Sequence, residues 1–306
     1  MCYTYVRLLC EIHSVITGDG MKDNLITLLE TRMSTFSKGQ KLIANFLIHN
    51  YDKAAYMTAS KLGVLVGVSE STVVRFAIEL GYDGYPELQR SLQELIRTKL
   101  TFNQRIEVTN KRIGNGDLLE KMLLSDVEKI KTTLETISRE DFERAVDKII
   151  NAKAIYILGA RSSASLSTFL FFNLNLIFDN VRYVQTTSGS EIFEHILPIS
   201  EGDVMIAISF PRYTSRIINA VDYAREVGAN VVAITDNKNS PIATKATEVL
   251  IAQSDMASYV DSLTAPMSVL NALIVAISRK RQAEINARFD KLERIWEEYD
   301  VYAKLK

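Results

Sequence analysis

The chain is poor in cysteine. Its two cysteines, Cys2 and Cys10, fall within the first ten residues and lack metal-ligand spacing. This excludes a disulfide scaffold or a zinc finger and points to a reducing compartment. Long apolar runs are missing as well. The stretch YVRLLCEIHSVI is too short and too polar to span a bilayer, and no small-residue cleavage site of signal-peptide type follows it. A cytoplasmic protein without a membrane partner is expected. Low-complexity tracts are absent, and a net charge of -1 leaves no global basic field to draw in a polyanion. Any nucleic-acid reader must therefore be confined to a small part of the chain.

What is present is a length of 306 residues with 47% hydrophobic content, long for one core and suited to two domains. Residues 1–20 match nothing that follows, and Met21 opens MKDNLITLLETRM in the manner of a natural start. They read as an N-terminal extension of uncertain status, with no function assigned. Ser37 and Gln40 then have the spacing of a capping box, and Leu42, Ile43, Phe46 and Leu47 recur at helical intervals. Thr58 can cap a second helix, ASKLGVLV, with Ala59, Leu62 and Val66 on one side. Gly67-Val68 breaks it, and Ser69 caps a third helix, with Val73, Val74, Ala77, Ile78 and Leu80 as its buried side.

Two short helices joined by a tight glycine turn make a helix-turn-helix, whose second helix lies in the DNA major groove with its N-terminal residues at base edges. That explains a helix start holding Ser69, Glu70, Ser71 and Thr72, all short enough for close approach or able to favour the helix N-terminus, with Arg75 one turn further on. Lys61 on the preceding helix is the expected phosphate contact. The alternative is a small helical bundle used only for dimer packing. Tyr82, Tyr85 and Leu88 are expected to dock the following turn, with Pro86 opening the next helix. Here a resemblance becomes specific. The stretch ASKLGVLVGVSESTVVRFAIELGYDGYPELQRSL resembles the DNA-binding domain of RpiR-type transcriptional regulators, with their Val-Ser turn, Thr-Val-Val-Arg-Phe recognition helix and Leu-Gly-Tyr close. Residues 21–98 are assigned to this domain.

From Thr101 to Asp117 apolar periodicity fades, and residues 99–118 read as an interdomain linker. After helical patterns at 118–137 and 139–150 come five strand-length runs, AKAIYILG, VRYVQT, DVMIAIS, NVVAIT and TEVLIA, mostly separated by helices. The pattern predicts an α/β domain at 119–285 built on a doubly wound, five-stranded parallel sheet, followed by a C-terminal helix at 286–306. Ligands of such sheets sit outside the carboxyl ends of the strands. The loops there, GARSSAS, TTSGSE, SFPRYTS and TDNKNS, are rich in hydroxyls, and two carry arginine, a chemistry suited to a phosphate monoester. The bland reading is that each Ser or Thr simply caps the next helix.

This segment is similar to the sugar isomerase (SIS) domain found behind the helix-turn-helix of RpiR-type regulators. The resemblance implies that Ser162 and Ser163, and Ser209 with Thr214, grip a sugar phosphate. Pro211 stands where the isomerase form has a second serine, and Arg161, Arg212 and Tyr213 are the groups whose chemistry could compensate. An isomerase would need an acid and a base. The clustered candidates, Glu191, Glu194 and His195, read as a solvated helix face, and no catalytic residue, metal ligand or cofactor is assigned. The expectation is therefore a homodimeric or homotetrameric transcriptional regulator of sugar metabolism genes that binds double-stranded operator DNA and a phosphosugar effector. A sugar-phosphate isomerase or lyase with a helical accessory domain is the alternative. The apolar helix 266–277 is one candidate for the subunit interface, with burial inside the sugar domain as the other reading.

Overall fold

The computed structural model describes residues 25–99, 101–113, 116–185, 191–254 and 257–302; the expected extension at 1–20 lies outside them. The chain divides into two compact units, 1–101 and 102–306. Among the described residues no helix is long and apolar enough to cross a membrane.

The first unit is helical: α1 (Leu25–Arg32), α2 (Lys38–Ala54), α3 (Ala59–Val66), α4 (Glu70–Glu79) and α5 (Tyr85–Lys99). Ser37 and Gln40 form the reciprocal capping box, and α2 continues past the expected end at Asn50, where the backbone leaves helical values (φ -140°, ψ 35°). Leu29, Ile43, Leu47, Leu62, Val73, Phe76, Leu80, Leu88 and Leu92 fill the centre. Phe36 meets Phe76 edge to face at 5.2 Å. Two expected core positions turn outward, Leu42 on α2 and Ile78 on α4, and Val74 is half-buried. Phe76 takes the inner place on α4, because positions 73, 76, 77 and 80 form its inner stripe at helical spacing. Tyr82, Tyr85 and Leu88 do dock the turn. The Tyr85 hydroxyl donates to the Met57 carbonyl at 2.9 Å, and burial pushes its pKa up to about 12. Pro86 is the second residue of α5, after Tyr85.

The second unit opens with α6 (Phe102–Ile113), so the segment read as a linker holds a helix that packs with the unit it precedes. Helices α7 (Leu118–Thr136) and α8 (Arg139–Ile150) lead into the sheet. Its strands are β1 (Ile155–Gly159), β2 (Val181–Val184), β3 (Val204–Ile208), β4 (Asn230–Thr235) and β5 (Glu248–Ile251), all parallel, in the order β2-β1-β3-β4-β5. Between them run α9 (Ser163–Ile177), α10 (Glu191–Ile196) and α11 (Ser215–Glu226), and after them α12 (Thr264–Lys280) and α13 (Gln282–Glu298). Because side chains alternate along a strand, Ile155, Ile157, Ile206 and Ile234 pack on one face against α8, α9 and α12, while Tyr156, Leu158, Met205 and Val231 pack on the other against α10 and α11. Burial on both faces is why these strands are apolar without interruption. The apolar helix at 266–277 lies in the first of these cores through Val269, Leu270, Leu273 and Ile277. The predicted C-terminal helix at 286–306 begins earlier, at Gln282.

Candidate functional site

The helix-turn-helix turn depends on two glycines. Gly67 takes the left-handed conformation at φ 77° that ends α3, and a Cβ on Gly63 would stand 2.7 Å from the Val68 carbonyl oxygen. With the turn fixed, Ser69 caps α4, its Oγ accepting from the Thr72 amide at 3.3 Å. The same Oγ is hydrogen-bonded to Ser71 Oγ at 2.9 Å and to Thr72 Oγ1 at 2.8 Å, so the three hydroxyls form one cluster at the helix start. Ser69, Glu70, Ser71 and Arg75 are exposed, Thr72 is half-buried, and Arg75 Nε donates to the Ser71 carbonyl at 3.3 Å. Lys61 is exposed on α3. The six residues selected from sequence thus lie on two adjacent helices and the cap between them.

At the carboxyl ends of β1 and β3 lies a cavity of about 440 Å³, within the size range of small-molecule sites. Arg161, Ser162, Ser163, Ser209, Arg212 and Thr214 line it. Gly159 lets β1 run tight into α9, since a Cβ there would meet the Ser163 carbonyl oxygen at 2.6 Å. The N-termini of α9 and α11 both open at this cavity and bring positive potential to it. Their flanking hydroxyls do not cap them. Ser162 and Thr214 make no side-chain cap bond, unlike Ser37, Thr58, Ser69 and Ser138 elsewhere. Thr214 Oγ1 is buried without any hydrogen-bond partner. Arg161 (φ 57°) and Arg212 (φ 64°) both hold left-handed backbone, a conformation costing about 1 kcal/mol or more in a residue with a side chain and concentrated at binding sites.

Tyr213 stands apart from this set. Its hydroxyl donates to Asp236 Oδ1 at 2.6 Å, on the loop after β4, and it borders a shallower neighbouring depression with Arg161, Arg212 and Thr214. Asp236 and Thr235 are buried in that same bonded cluster. Of the loop after β2, residues 186–190 lie outside the described residues. Glu191, Glu194 and His195 are exposed on α10 and do not line the cavity.

Sequence reasoning missed the part of the cavity lining made by Phe102 and Arg105 of α6 with Tyr259, Val260 and Asp261. Arg105 is 2% exposed, donates from Nη1 to the Tyr259 carbonyl at 2.9 Å and forms an ion pair with Asp261. Asp261 is the one carboxylate among the described residues lining the cavity. The available signal was the i, i+3, i+7 spacing of Phe102, Arg105 and Thr109, but only one of the three is apolar, so apolar periodicity does not register the face.

A helix-turn-helix unit followed by a doubly wound sheet with a hydroxyl- and arginine-lined cavity defines the class: a two-domain transcriptional regulator. Residues 23–99 match the helix-turn-helix domain of the rpiR family and residues 148–276 match the SIS domain. The chain belongs to the RpiR-type family of transcriptional regulators. It is 23% identical over 287 residues to the HTH-type transcriptional regulator HexR of Escherichia coli (strain K12), covering 90% of this chain and 93% of that protein. With HexR of Pseudomonas aeruginosa it shares 24% identity over 277 residues, 88% of this chain and 94% of that protein. Among solved structures, the Vibrio vulnificus NanR protein complexed with ManNAc-6P has the same fold, with a TM-score of 0.58 at 21% identity over 92% of this chain and 100% of that one. The sugar isomerase domain of the RpiR transcription factor from Sphaerobacter thermophilus gives a TM-score of 0.56 at 27% identity, over 58% of this chain and 99% of that one. The HexR relatives are named as transcriptional regulators, and this chain carries the rpiR-family helix-turn-helix domain.

Proposed function

We propose that the protein binds operator DNA through Lys61, Ser69, Glu70, Ser71, Thr72 and Arg75 and adjusts that binding to a phosphosugar held by Arg161, Ser162, Ser163, Ser209, Arg212 and Thr214, so regulating sugar metabolism genes in the cytoplasm. The observation that carries the effector reading is the buried, partnerless Thr214 Oγ1 at the start of a helix it does not cap. A buried hydroxyl left unpaired costs roughly 1–3 kcal/mol, and a phosphate oxygen accepting its hydrogen bond removes that cost. NanR, of the same fold, is complexed with a sugar phosphate. The test is operator binding by fluorescence anisotropy, titrated with a panel of phosphosugars and with the unphosphorylated sugars. Binding that responds only to a phosphorylated sugar supports the reading; indifference to the whole panel refutes it, and turnover of any member restores the isomerase alternative.

A two-fold assembly, dimer or tetramer, completes this reading, because paired helix-turn-helix units match inverted half-sites. Helix α7 supports it. Its inner face is polar: Asp126 accepts from Ser262 Oγ at 2.6 Å and Thr264 Oγ1 at 2.9 Å, and Thr133 Oγ1 accepts from the Gln253 amide at 2.9 Å. Its outer face exposes Leu119, Leu123, Val127, Ile130 and Leu134 as one stripe, the surface a subunit contact would cover. Leu123→Glu combined with Leu134→Glu is expected to dissociate the assembly in sedimentation and to weaken operator binding with it. A double variant that sediments as wild type removes α7 from the interface.

A further inference from the structure

Besides the hydroxyl cradle, the cavity is lined by a second polar group, Arg105 of α6. A guanidinium with a side chain only 3% exposed is rare unless every N–H is used. Here Nη1 and the Asp261 ion pair are accounted for, whereas Nε is buried with no hydrogen-bond partner. The lining also includes the apolar Phe102, Phe210, Pro211 and Val260. A ligand carrying a phosphate together with hydroxyl or carbonyl oxygens matches that set of surfaces.

We propose that Arg105 is the second anchor of this pocket, its Nε donating to an oxygen of the sugar, and that α6 is the element through which occupancy of the pocket acts on DNA binding. This rests on the phosphosugar reading above and adds to it the residue that senses the sugar end. The regulatory part follows from chain order. Helix α6 begins at Phe102, the residue directly after the boundary of the helix-turn-helix unit. A ligand that binds Arg105 differently in two positions of α6 biases the conformation of the chain at that boundary, and a ligand shifts an equilibrium only through such differential contacts. The phosphate cradle lies on the loops after β1 and β3 and meets α6 through Arg212, whose guanidinium stands over the Phe102 ring.

The full-length protein is tested with two probes, inorganic phosphate and the hexose 6-phosphate giving the largest thermal shift. Arg105→Gln should weaken the hexose 6-phosphate by about ten-fold or more while inorganic phosphate stays within about three-fold of wild type, and the hexose 6-phosphate should no longer change operator affinity even at saturation. Phe102→Ala provides a variant at a half-exposed position, where folding is less at risk; it should keep operator binding and lose most of the response. The proposal is overturned if Arg105→Gln weakens both probes equally or neither, or if both variants respond to the hexose 6-phosphate as wild type does. Failure of the wild type to bind either probe overturns instead the phosphosugar reading beneath it, which keeps the two failures distinct.

Discussion

The guanidinium of Arg212 lies 4.7 Å over the ring of Phe102. One residue sits on the loop after β3 and the other at the start of α6, so a cation–π contact joins the expected phosphate loop to the helix that sequence reasoning read as a linker. Arg212 holds this position with left-handed backbone. The same side chain lines the cavity, where an anion would compete with the ring for it.

If the hydroxyl cradle holds phosphate, Ser163→Ala with Thr214→Ala should abolish the response of operator affinity to a phosphosugar and spare operator affinity in its absence. Two charge-assisted hydrogen bonds at roughly 1.5–3 kcal/mol each amount to a loss of about a hundred-fold or more in effector affinity. Titrating operator binding against phosphosugar for both proteins checks this, and an unchanged response in the double variant would place the effector elsewhere.

On the DNA-reading unit, Arg75→Ala should cost about 1–3 kcal/mol in operator binding with selectivity relaxed, as for loss of a base-edge contact. Lys61→Ala should weaken all sequences alike and reduce the salt slope by about 1. Both side chains are exposed, so folding should be preserved. Salt-dependent anisotropy on operator and scrambled DNA separates the two effects; full operator affinity in Arg75→Ala would remove α4 from the groove.

The two turn glycines should differ in cost. At Gly67 a Cβ meets nothing within 4 Å, so Gly67→Ala carries only the penalty of a positive φ, about 1 kcal/mol. At Gly63 the Cβ would press on the backbone oxygen of Val68, which no side-chain rotation relieves, so Gly63→Ala should cost more than about 2 kcal/mol. Urea denaturation of the two variants gives the comparison.

Tyr85 sets a limit on stability at high pH. Its folded pKa of about 12 lies above the ordinary value of 10.0, so above pH 10 the unfolded chain releases this proton while the folded chain keeps it. Its contribution is intact below pH 10 and falls as pH rises toward 12, by up to about 2 kcal/mol. Tyr85→Phe should cost about 1 kcal/mol at neutral pH through the bonds lost to the Met57 and Ala54 carbonyls, and should flatten the fall above pH 10. Unfolding curves at several pH values report both effects.

The sequence by itself determined the helix-turn-helix and the five parallel strands. Caps, glycine turns and uninterrupted apolar runs are local signals, and the Ser69 cap, the Gly67 turn and β4 at Asn230–Thr235 stand where those signals put them. It determined the hydroxyl loops for the same reason, since loop position follows from strand ends. What only the tertiary structure decided is which side chains from distant segments meet. Arg105 and Asp261 are 156 residues apart and neither carries an apolar signal. Helix α7 stands at Leu118–Thr136, where the sequence shows a helical pattern at 118–137, but which of its faces is buried was not legible, because Asp126, Lys129 and Thr133 turn inward and Leu123 outward. Helix α6 reads as a linker because its inner face holds Arg105 and Thr109 while Ile106 turns outward. Periodicity reports that a helix has an apolar face but not which way it points, and at a ligand pocket, or where a second subunit can cover the surface, burial and polarity part company.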